Sequence, residues 1–358
     1  MSASNAIRKI LSELTCSETP LVYFVVNVRG QTHEKDYQGH VDSILTEYLK
    51  ESEYDDIITS FKQNKFRLKV FYNEIDFIKF AISNKEELEQ ERPIVFNLGR
   101  NGKGLNKKTI IPSFCNLNDI LITGSGAYHV ALGRHKYHVN SLLRSHDIPV
   151  AQSWLYTPNG WFMGKTPPKG LRVISKPVYE SASRGVSQDS IWHMDTAMEE
   201  NLSSLCKLYE QNIIVQEFIP GYEVGVPIVI CDGYHPLLAV GVSMESNLMM
   251  GDNIITFEDA FNETYTFYDF DQTNPDLSKK IKQSAVDAAI CLGLEQYCRI
   301  DFRIRHDGSY YITDTSTHPF LIKHSAFAFA FEALGFTFSD IFAYLILQRK
   351  QHPELLLN

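Results

Sequence analysis

The chain has 358 residues, of which 44% are hydrophobic and 22% charged, and its formal net charge is −9. This length favours two or three packed units over a single core. The hydrophobic share argues against a disordered chain, and no apolar run approaches the roughly 20 residues that a membrane helix requires. The negative charge disfavours a nucleic-acid-binding surface.

The cysteines and the N-terminus bear on the cellular compartment. The six cysteines form no C-x-x-C pair, so we interpret them as reduced, buried residues. The first residues, Met-Ser-Ala-Ser-Asn, do not resemble a signal peptide. The sequence therefore predicts a folded cytoplasmic protein.

The first third of the chain predicts a parallel α/β domain. Apolar runs typical of buried strands occur at residues 21–28, 68–72 and 93–98, and helical patterns occur at 40–49 and 85–90. Strands that alternate with helices indicate βαβ units over a parallel sheet.

A glycine-rich segment, residues 99–104, follows the third predicted strand. It invites comparison with phosphate-binding loops but lacks their G-K-[ST] ending. We interpret it as a surface turn.

The middle of the chain predicts short strands and helices. We expect a helix at 131–146, a hairpin within 154–163, and a helix at 196–211. Strands are predicted at 172–177 and 213–219, followed by a returning strand at 223–231. An antiparallel sheet is therefore expected after the parallel one.

The last third combines a helix, a hairpin and a helical end. Asn274 and Pro275 announce a helix. The run 298–304 predicts a strand with a turn at Asp307 and Gly308, a return strand follows at 310–314, and residues 325–348 are helical in pattern.

Four polar side chains of the predicted hairpin are expected on one face. Arg299 and Asp301 alternate on one strand, and Asp314 and Ser316 alternate on the other. Two close carboxylates favour a Mg²⁺ that also holds substrate phosphates, and an arginine beside them can stabilise developing negative charge. The pattern equally fits a solvated face with an Arg–Asp ion pair.

Lys176 ends a predicted strand, and a loop of small polar residues follows it. Such a loop can cover a phosphate, although an exposed lysine beside an ordinary loop gives the same pattern.

The order of these segments resembles the ATP-grasp superfamily, and most closely its D-alanine–D-alanine ligase branch, over about residues 90 to 345. The matching features are Lys176 with its loop, the run QEFIPGYE at 216–223, the run RIDF at 299–302 and the return strand to Ser316. Further matches are residues 122–127, Lys136 and residues 323–325.

The resemblance implies a fold of α/β and α+β type. It divides the chain into an N-terminal parallel α/β domain (1–125), a central ATP-grasp subdomain (126–223) and a C-terminal subdomain with the metal site (224–358). ATP is expected between the antiparallel sheets of the two α+β subdomains.

The resemblance also implies a role for individual residues. Arg299 would face the acyl-phosphate and the tetrahedral intermediate as the catalytic residue. The residues implied in ATP binding are Lys136, Lys176, Ser183, Gln216, Phe218, Ile219 and Glu223; those in Mg²⁺ binding are Asp301, Asp314 and Ser316; those in substrate binding are Glu34, His324 and Ser325.

The implied activity is an ATP-dependent carboxylate–amine ligase that forms an amide or peptide bond through an acyl-phosphate. The implied partners are small amino-acid or peptide substrates, with neither nucleic acid nor membrane, and the resemblance favours a homodimer. Two alternatives stay open: a nucleotide-binding protein without ligase turnover, and acyl transfer to a thiol, carrier protein or hydroxyl.

Departures from the family pattern fall mainly on substrate-facing positions. The family's Glu and Asn metal ligands are replaced by Asp314 and Ser316, a serine of the cover loop by Ala182, and a glycine after the metal strand by Phe320. The N-terminal signature that contacts the first substrate is degenerate at residues 29–34. We therefore expect amino-acid substrates other than D-alanine.

Overall fold

Three β-sheets, each drawn from a separate stretch of the chain, organise the fold. The computed structural model describes residues 2–12, 19–32, 47–101, 104–195 and 198–353. The first sheet uses residues between 21 and 122, the second between 153 and 217, and the third between 222 and 316.

The described elements have the following bounds. The strands are β1 (Leu21–Val26), β2 (Arg67–Phe71), β3 (Ile94–Leu98), β4 (Leu121–Ile122), β5 (Ser153–Thr157), β6 (Gly160–Trp161), β7 (Arg172–Pro177), β8 (Ile191–His193), β9 (Ile213–Glu217), β10 (Tyr222–Cys231), β11 (Gly233–Pro236), β12 (Val240–Ser243), β13 (Thr266–Asp269), β14 (Tyr297–Ile304) and β15 (Tyr310–Ser316). The helices are α1 (Ala3–Leu11), α2 (Glu51–Gln63), α3 (Glu74–Ser83), α4 (Lys85–Glu91), α5 (Ile110–Leu117), α6 (Ala127–Arg134), α7 (Lys136–Ser145), α8 (Met198–Tyr209), α9 (Phe257–Asn262), α10 (Phe270–Thr273), α11 (Pro275–Cys291), α12 (Ala326–Ala333) and α13 (Phe338–Gln351).

The N-terminal sheet is parallel, with strand order β2-β1-β3-β4. Its central strands β1 and β3 are buried almost throughout, which explains their continuous β-branched and aromatic composition. One apolar core packs this sheet against α13 and another packs its opposite face against α3 and α5. The predicted α/β organisation is therefore present. Helices α2 and α3 were not predicted, and most of the helix predicted at 40–49 lies outside the described residues.

The two antiparallel sheets have the orders β6-β5-β9-β7-β8 and β13-β12-β10-β14-β15, with β11 pairing to β10. The prediction that β10 returns beside β9 as a hairpin is wrong, because these strands belong to different sheets. The chain crosses between the sheets at Gly221, whose φ is +140°. A Cβ at this position would lie 1.8 Å from the carbonyl oxygen of Ile304, so only glycine fits the crossing.

Two predicted helices are each divided in two. The segment predicted at 131–146 breaks at His135, which caps α7 by accepting from the backbone N–H of His138. The C-terminal segment is α12 followed by α13, bent by 97°. Gly335 between them has a φ of +83°, and Thr337 and Asp340 form a capping box that starts α13 anew.

No single described helix is long and apolar enough to cross a membrane; α12 and α13 reach the required length and composition only as a bent pair. Both helices are largely buried in the protein. All five cysteines in the described ranges are free; Cys115, Cys206 and Cys298 are buried as predicted, whereas Cys231 and Cys291 are partly exposed.

Candidate active site

A cavity of about 340 Å³ lies between the two antiparallel sheets and reaches the N-terminal domain. This volume is in the range of small-molecule sites. Every predicted site residue that the structure describes lines it: Lys136, Lys176, Ser183, Gln216, Phe218, Ile219, Glu223, Arg299, Asp301, Asp314, Ser316, His324 and Ser325. Glu34, the remaining predicted substrate residue, lies outside the described residues.

Strands β14 and β15 bring the predicted carboxylate face together. Asp301 is paired opposite Asp314, and Arg299 opposite Ser316. Arg299 donates from Nε to Asp301 Oδ1 at 2.6 Å and from Nη2 to Oδ2 at 2.8 Å. Burial would lower the pKa of Arg299, but the bonded Asp301 raises it, so the guanidinium stays charged. The Arg–Asp pair does form, but it faces a cavity rather than an open sheet surface.

Two lysines from earlier elements of the chain reach strand β15. Lys136, the first residue of α7, donates from Nζ to both oxygens of Asp314 at 3.1 Å. Lys176 on β7 donates to the carbonyl of Thr313 at 3.2 Å. Thr313 is the extra residue of a β-bulge, which turns its carbonyl out of the ladder.

These charges perturb one another. Burial would raise the pKa of Asp314, but Lys136 and Lys176 lower it below its ordinary value. Burial lowers the pKa of Lys176 to about 8, with Lys136 acting in the same direction and Asp314 opposing it. Lys176 therefore changes charge within the range in which an enzyme is assayed.

The predicted adenine-facing segment forms one wall of the cavity. Gln216 is buried, and its Nε2 has no hydrogen-bond partner among the described residues. The N–H of Phe218 donates to the carbonyl of Arg172 at 2.9 Å, and the carbonyl of Ile219 accepts from Arg303. A ligand at this wall would therefore have to use the Phe218 carbonyl, the Ile219 N–H and the Gln216 amide.

Arg303 is a residue of this wall that the sequence interpretation missed. It donates to Glu223 Oε2 at 3.0 Å and to the carbonyl of Ile219 at 2.9 Å, and its guanidinium lies 5.6 Å from the ring centre of Phe218. The alternation that places Arg299 and Asp301 on one face of β14 also places Arg303 there. The signal was therefore present in the run RIDFR.

The cover loop after β7 has left-handed backbone at successive positions. Ala182 and Ser183 both have a φ of 53°, and Gly185 has a φ of 76°. A Cβ on Gly185 would lie 2.7 Å from Pro177. Ser183 lines the cavity, and the role of the loop as a cover for phosphates stays a prediction.

The two predicted substrate residues near α12 differ in their surroundings. His324 packs against Tyr265 and Phe267 at ring-centre distances of 5.0 and 5.1 Å, and its buried Nε2 has no partner in the described part of the chain. Ser325 caps α12 by accepting from Ala328 N–H, and its hydroxyl donates to the carbonyl of Ile322 at 2.6 Å. Its hydroxyl is therefore already committed to the backbone, and its substrate role stays a prediction.

The oxygen set around Asp301, Asp314 and Ser316 fits a Mg²⁺ that takes its other ligands from water and phosphate. Two opposed carboxylates supply hard anionic oxygens, and both are held by cations that a metal ion can replace. Within the described ranges, no cluster of three or more His, Cys, Asp or Glu residues is placed to hold a metal by itself. The role of these three residues stays a prediction.

The lining of the cavity includes a second set of charges that the sequence did not reveal. Arg100, Lys108 and Arg134 line it and are 4%, 7% and 6% exposed. The interpretation of residues 99–104 as a surface turn is therefore partly wrong, because Arg100 is buried. The backbone N–H of Arg100 donates to Asn27 Oδ1, and the backbone N–H of Asn101 donates to Glu74.

Several solved structures share this fold. The D-alanine–D-alanine ligase from Bacillus anthracis complexed with ATP superposes with a TM-score of 0.66, at 15% identity, covering 93% of this chain and 99% of that one. VanG D-Ala:D-Ser ligase from Enterococcus faecalis gives a TM-score of 0.62 at 16% identity, covering 92% and 98%.

The fold and the cavity between antiparallel sheets define an ATP-grasp protein, which confirms the fold class predicted from the motifs. A family model described as the D-ala D-ala ligase C-terminus matches residues 142–347, more than half of the chain. The chain therefore belongs to the D-alanine–D-alanine ligase family.

Curated relatives agree with this assignment. The chain is 25% identical over 211 residues to a D-alanine–D-alanine ligase of Trichlorobacter lovleyi, covering 58% of this chain and 63% of the relative. It is 27% identical over 223 residues to one of Cupriavidus metallidurans, covering 61% and 64%. The matched region thus spans just under two thirds of each relative.

Proposed function

We propose that the protein is an ATP-dependent carboxylate–amine ligase that forms an amide bond through an acyl-phosphate. The observation that supports it most strongly is the meeting of Lys136, Lys176, Arg299, Asp301 and Asp314 on one cavity wall. The predicted catalytic role of Arg299 and the metal-binding roles of Asp301 and Asp314 belong to this proposal. The family and the ATP complex of its structural neighbour support the nucleotide.

In this proposal the residues act by position and charge. Lys136 and Lys176 would hold the nucleotide phosphates, and Ser183 would lie in the loop that covers them. Asp301, Asp314 and Ser316 would hold Mg²⁺, which when bound neutralises phosphate charge. Arg299 would stabilise negative charge that develops on the reacting carboxyl group. A closed loop excludes water, which would otherwise hydrolyse the activated carboxyl.

At the nucleotide base and ribose, we propose contacts from a single wall. Gln216 offers an unpartnered buried amide, and Phe218 and Ile219 would face the adenine with their backbone, through the Phe218 carbonyl and the Ile219 N–H. Glu223, fixed by Arg303 through one oxygen, would accept from the ribose hydroxyls.

The substrates are proposed to be amino acids other than D-alanine. Phe320, which follows β15, lines the cavity. The guanidinium carbon of Arg100 lies 4.8 Å from the centre of the Phe320 ring. A large ring and a buried cation there change the space and the charge offered to the second substrate. His324 and Ser325 lie on the same side, and their contacts with substrate, like that of Glu34, stay predictions. The homodimer, the cytoplasmic location, the absence of nucleic-acid and membrane partners and the three domain boundaries also stay predictions.

The proposal is tested by measuring ADP and phosphate release with ATP and Mg²⁺ over pairs of D- and L-amino acids, with mass spectrometry of the products. We expect ADP release that requires an amine acceptor and yields an amide one water lighter than its two substrates. ADP release with only thiol or hydroxyl acceptors would favour acyl transfer. ATP binding without release for any pair would contradict the ligase function.

A further inference from the structure

The second cluster of charges, around Arg100, Lys108 and Arg134, contains more buried cations than carboxylates. Glu47 is fully buried and pairs with Lys107, and its Oε2 lies 3.2 Å from Lys108 Nζ. Lys107 also lies 4.0 Å from Glu180. Arg100 and Arg134 stand beside this group, and in the described part of the chain no carboxylate lies within ion-pair distance of either.

The two arginines are instead held by neutral oxygens. Arg100 donates to the carbonyl of His318 at 3.2 Å and stacks over Phe320. Arg134 donates to the carbonyls of Gly104 and Tyr179. These contacts fix the two guanidinium groups in place without neutralising them.

An unneutralised buried charge is costly, so such a site is expected to receive an anion. Burial lowers the pKa of Lys108, and the charges of Arg100, Arg134 and Lys107 lower it further, while Glu47 opposes them. The positive charges around Lys108 thus outnumber the single carboxylate, Glu47, that lies within ion-pair distance of it.

Resting on the proposed ligase function, we propose that Arg100, Lys108 and Arg134 form an anion-binding subsite for the second carboxylate of a dicarboxylic amino-acid substrate. Guanidinium groups match the planar geometry of a carboxylate. The phosphate end of the cavity already has Lys136 and Lys176. Arg100 instead contacts the segment after β15 that leads to Ser325, on the predicted substrate side.

Calorimetric titration of the full chain with Mg·ADP present tests the subsite directly. The probes are D- and L-glutamate and aspartate, each compared with its neutral amide, glutamine or asparagine. We expect at least one acid to bind about tenfold or more tightly than its amide, as for a charge-assisted hydrogen bond. Equal binding of acid and amide, or binding of neither, would overturn the proposal.

Arg100→Met and Arg134→Met should each remove the preference for the acid, while Arg100→Lys retains most of it. Arg67→Met is the matched control, since Arg67 is an exposed arginine paired with Glu91 outside the cavity. Thermal unfolding of each variant checks that it is folded. If the two Met variants raise the KM for ATP as much as they weaken acid binding, the cluster serves nucleotide phosphate and the proposal fails.

Different experimental results would contradict the proposed subsite and the proposed ligase function. Preferential binding of the acid without ADP release for any substrate pair would support the subsite and contradict the ligase. ADP release that occurs with neutral amino acids and is not stimulated by acidic ones would support the ligase and contradict the subsite.

Discussion

The two clusters of charge in the cavity differ in how many of their cations are paired with a carboxylate. At the metal end, Arg299 is bonded to Asp301 and Lys136 to Asp314, whereas Lys176 is held by the carbonyl of Thr313. Two of the three cations there therefore have a carboxylate each. In the second cluster, here called the far end, Lys107 and Lys108 share one carboxylate, Glu47. Arg100 and Arg134 beside them have no carboxylate within ion-pair distance among the described residues. At the metal end, the carboxylates could exchange their cationic partners for a metal ion, and the cations could then bind phosphate. At the far end, the unpaired cations could bind an added anion.

This difference indicates that the two ends were built under different constraints. The metal end, called the paired end because Arg299 and Lys136 each have a carboxylate, carries the residues that our proposal assigns to the nucleotide phosphates and Mg²⁺. At the far end, by contrast, substrates of different charge would require different residues to bind them. The proposed departure from D-alanine therefore rests on the far end and on Phe320, not on the nucleotide wall.

The largest expected effect is at the paired end. Asp301→Asn removes the predicted metal ligand and breaks the two-bond ion pair with Arg299. We expect kcat for ADP release to fall by about 10²-fold or more, as when a transition-state charge partner is lost. Asp307→Asn is the matched control, because Asp307 is exposed in the β14–β15 turn and bonds only Ser309. Activity within twofold of wild type for Asp301→Asn would contradict the assigned role.

Substitutions at the far end should mainly lower the free energy of unfolding. Glu47→Gln leaves Lys107 and Lys108 buried without their shared carboxylate, which we expect to cost about 3 kcal/mol of unfolding free energy. Burial would raise the pKa of Glu47, but Lys107 and Lys108 lower it, so the stabilisation is present at pH 7 and is lost as pH falls through the lowered pKa. Urea unfolding at pH 7 measures the first effect, and a series of unfolding curves at pH values falling below 4.5 measures the second.

The comparison variant for this measurement is Glu91→Gln, which breaks the exposed pair with Arg67. We expect it to cost under about 1 kcal/mol. Equal losses for the two variants would show that the far-end cluster is no more sensitive than the surface.

A third prediction concerns the charge of Lys176. Because burial lowers its pKa to about 8, Lys176 loses its proton as pH rises through that value. We expect kcat/KM for ATP to fall above pH 8 by up to about tenfold per pH unit. Lys176→Arg keeps the charge and should move this limb to higher pH, whereas Lys69→Arg, on β2 outside the cavity, should not. A wild-type profile that stays flat to pH 9.5 would show that the pKa of Lys176 is not lowered, and unchanged kcat/KM for ATP in Lys176→Met would contradict its role in phosphate binding.

The sequence predicted the paired end well because its signals are local and periodic. Arg299, Asp301, Asp314 and Ser316 follow from strand alternation and a D-G turn, and the register confirms that they converge. Alternation could also have revealed Arg303. The hairpin predicted across Gly221 failed because a turn between two apolar runs looks the same whether the strands pair or enter different sheets.

The far end could not be predicted for a different reason. Arg100, Lys108 and Arg134 belong to separate local structures, and nothing in the spacing of charged residues marks them as buried. Consecutive lysines such as Lys107 and Lys108 ordinarily face solvent. They meet only through tertiary contacts: Lys108 and Arg134 both lie within hydrogen-bond distance of the Ser181 hydroxyl in the cover loop, and Arg100 donates to the His318 carbonyl.

The smallest expected effect tests whether Phe320 and Arg100 act together. The ring of Phe320 lies under the Arg100 guanidinium, with a distance of 4.8 Å to the ring centre. Phe320→Leu keeps an apolar side chain but removes the cation–π contact, so we expect acid binding to weaken by about two- to fivefold. Phe80→Leu is the matched control, since Lys69 lies 3.4 Å over that ring outside the cavity. Calorimetry with glutamate measures both. If Phe320→Leu weakened acid binding as much as Arg100→Met, the ring would contribute through the shape of the cavity as well as by supporting the arginine. If Phe320→Leu had no effect on acid binding while Arg100→Met weakened it, the contacts of Arg100 with the His318 carbonyl and with Asn27 would suffice to position the guanidinium.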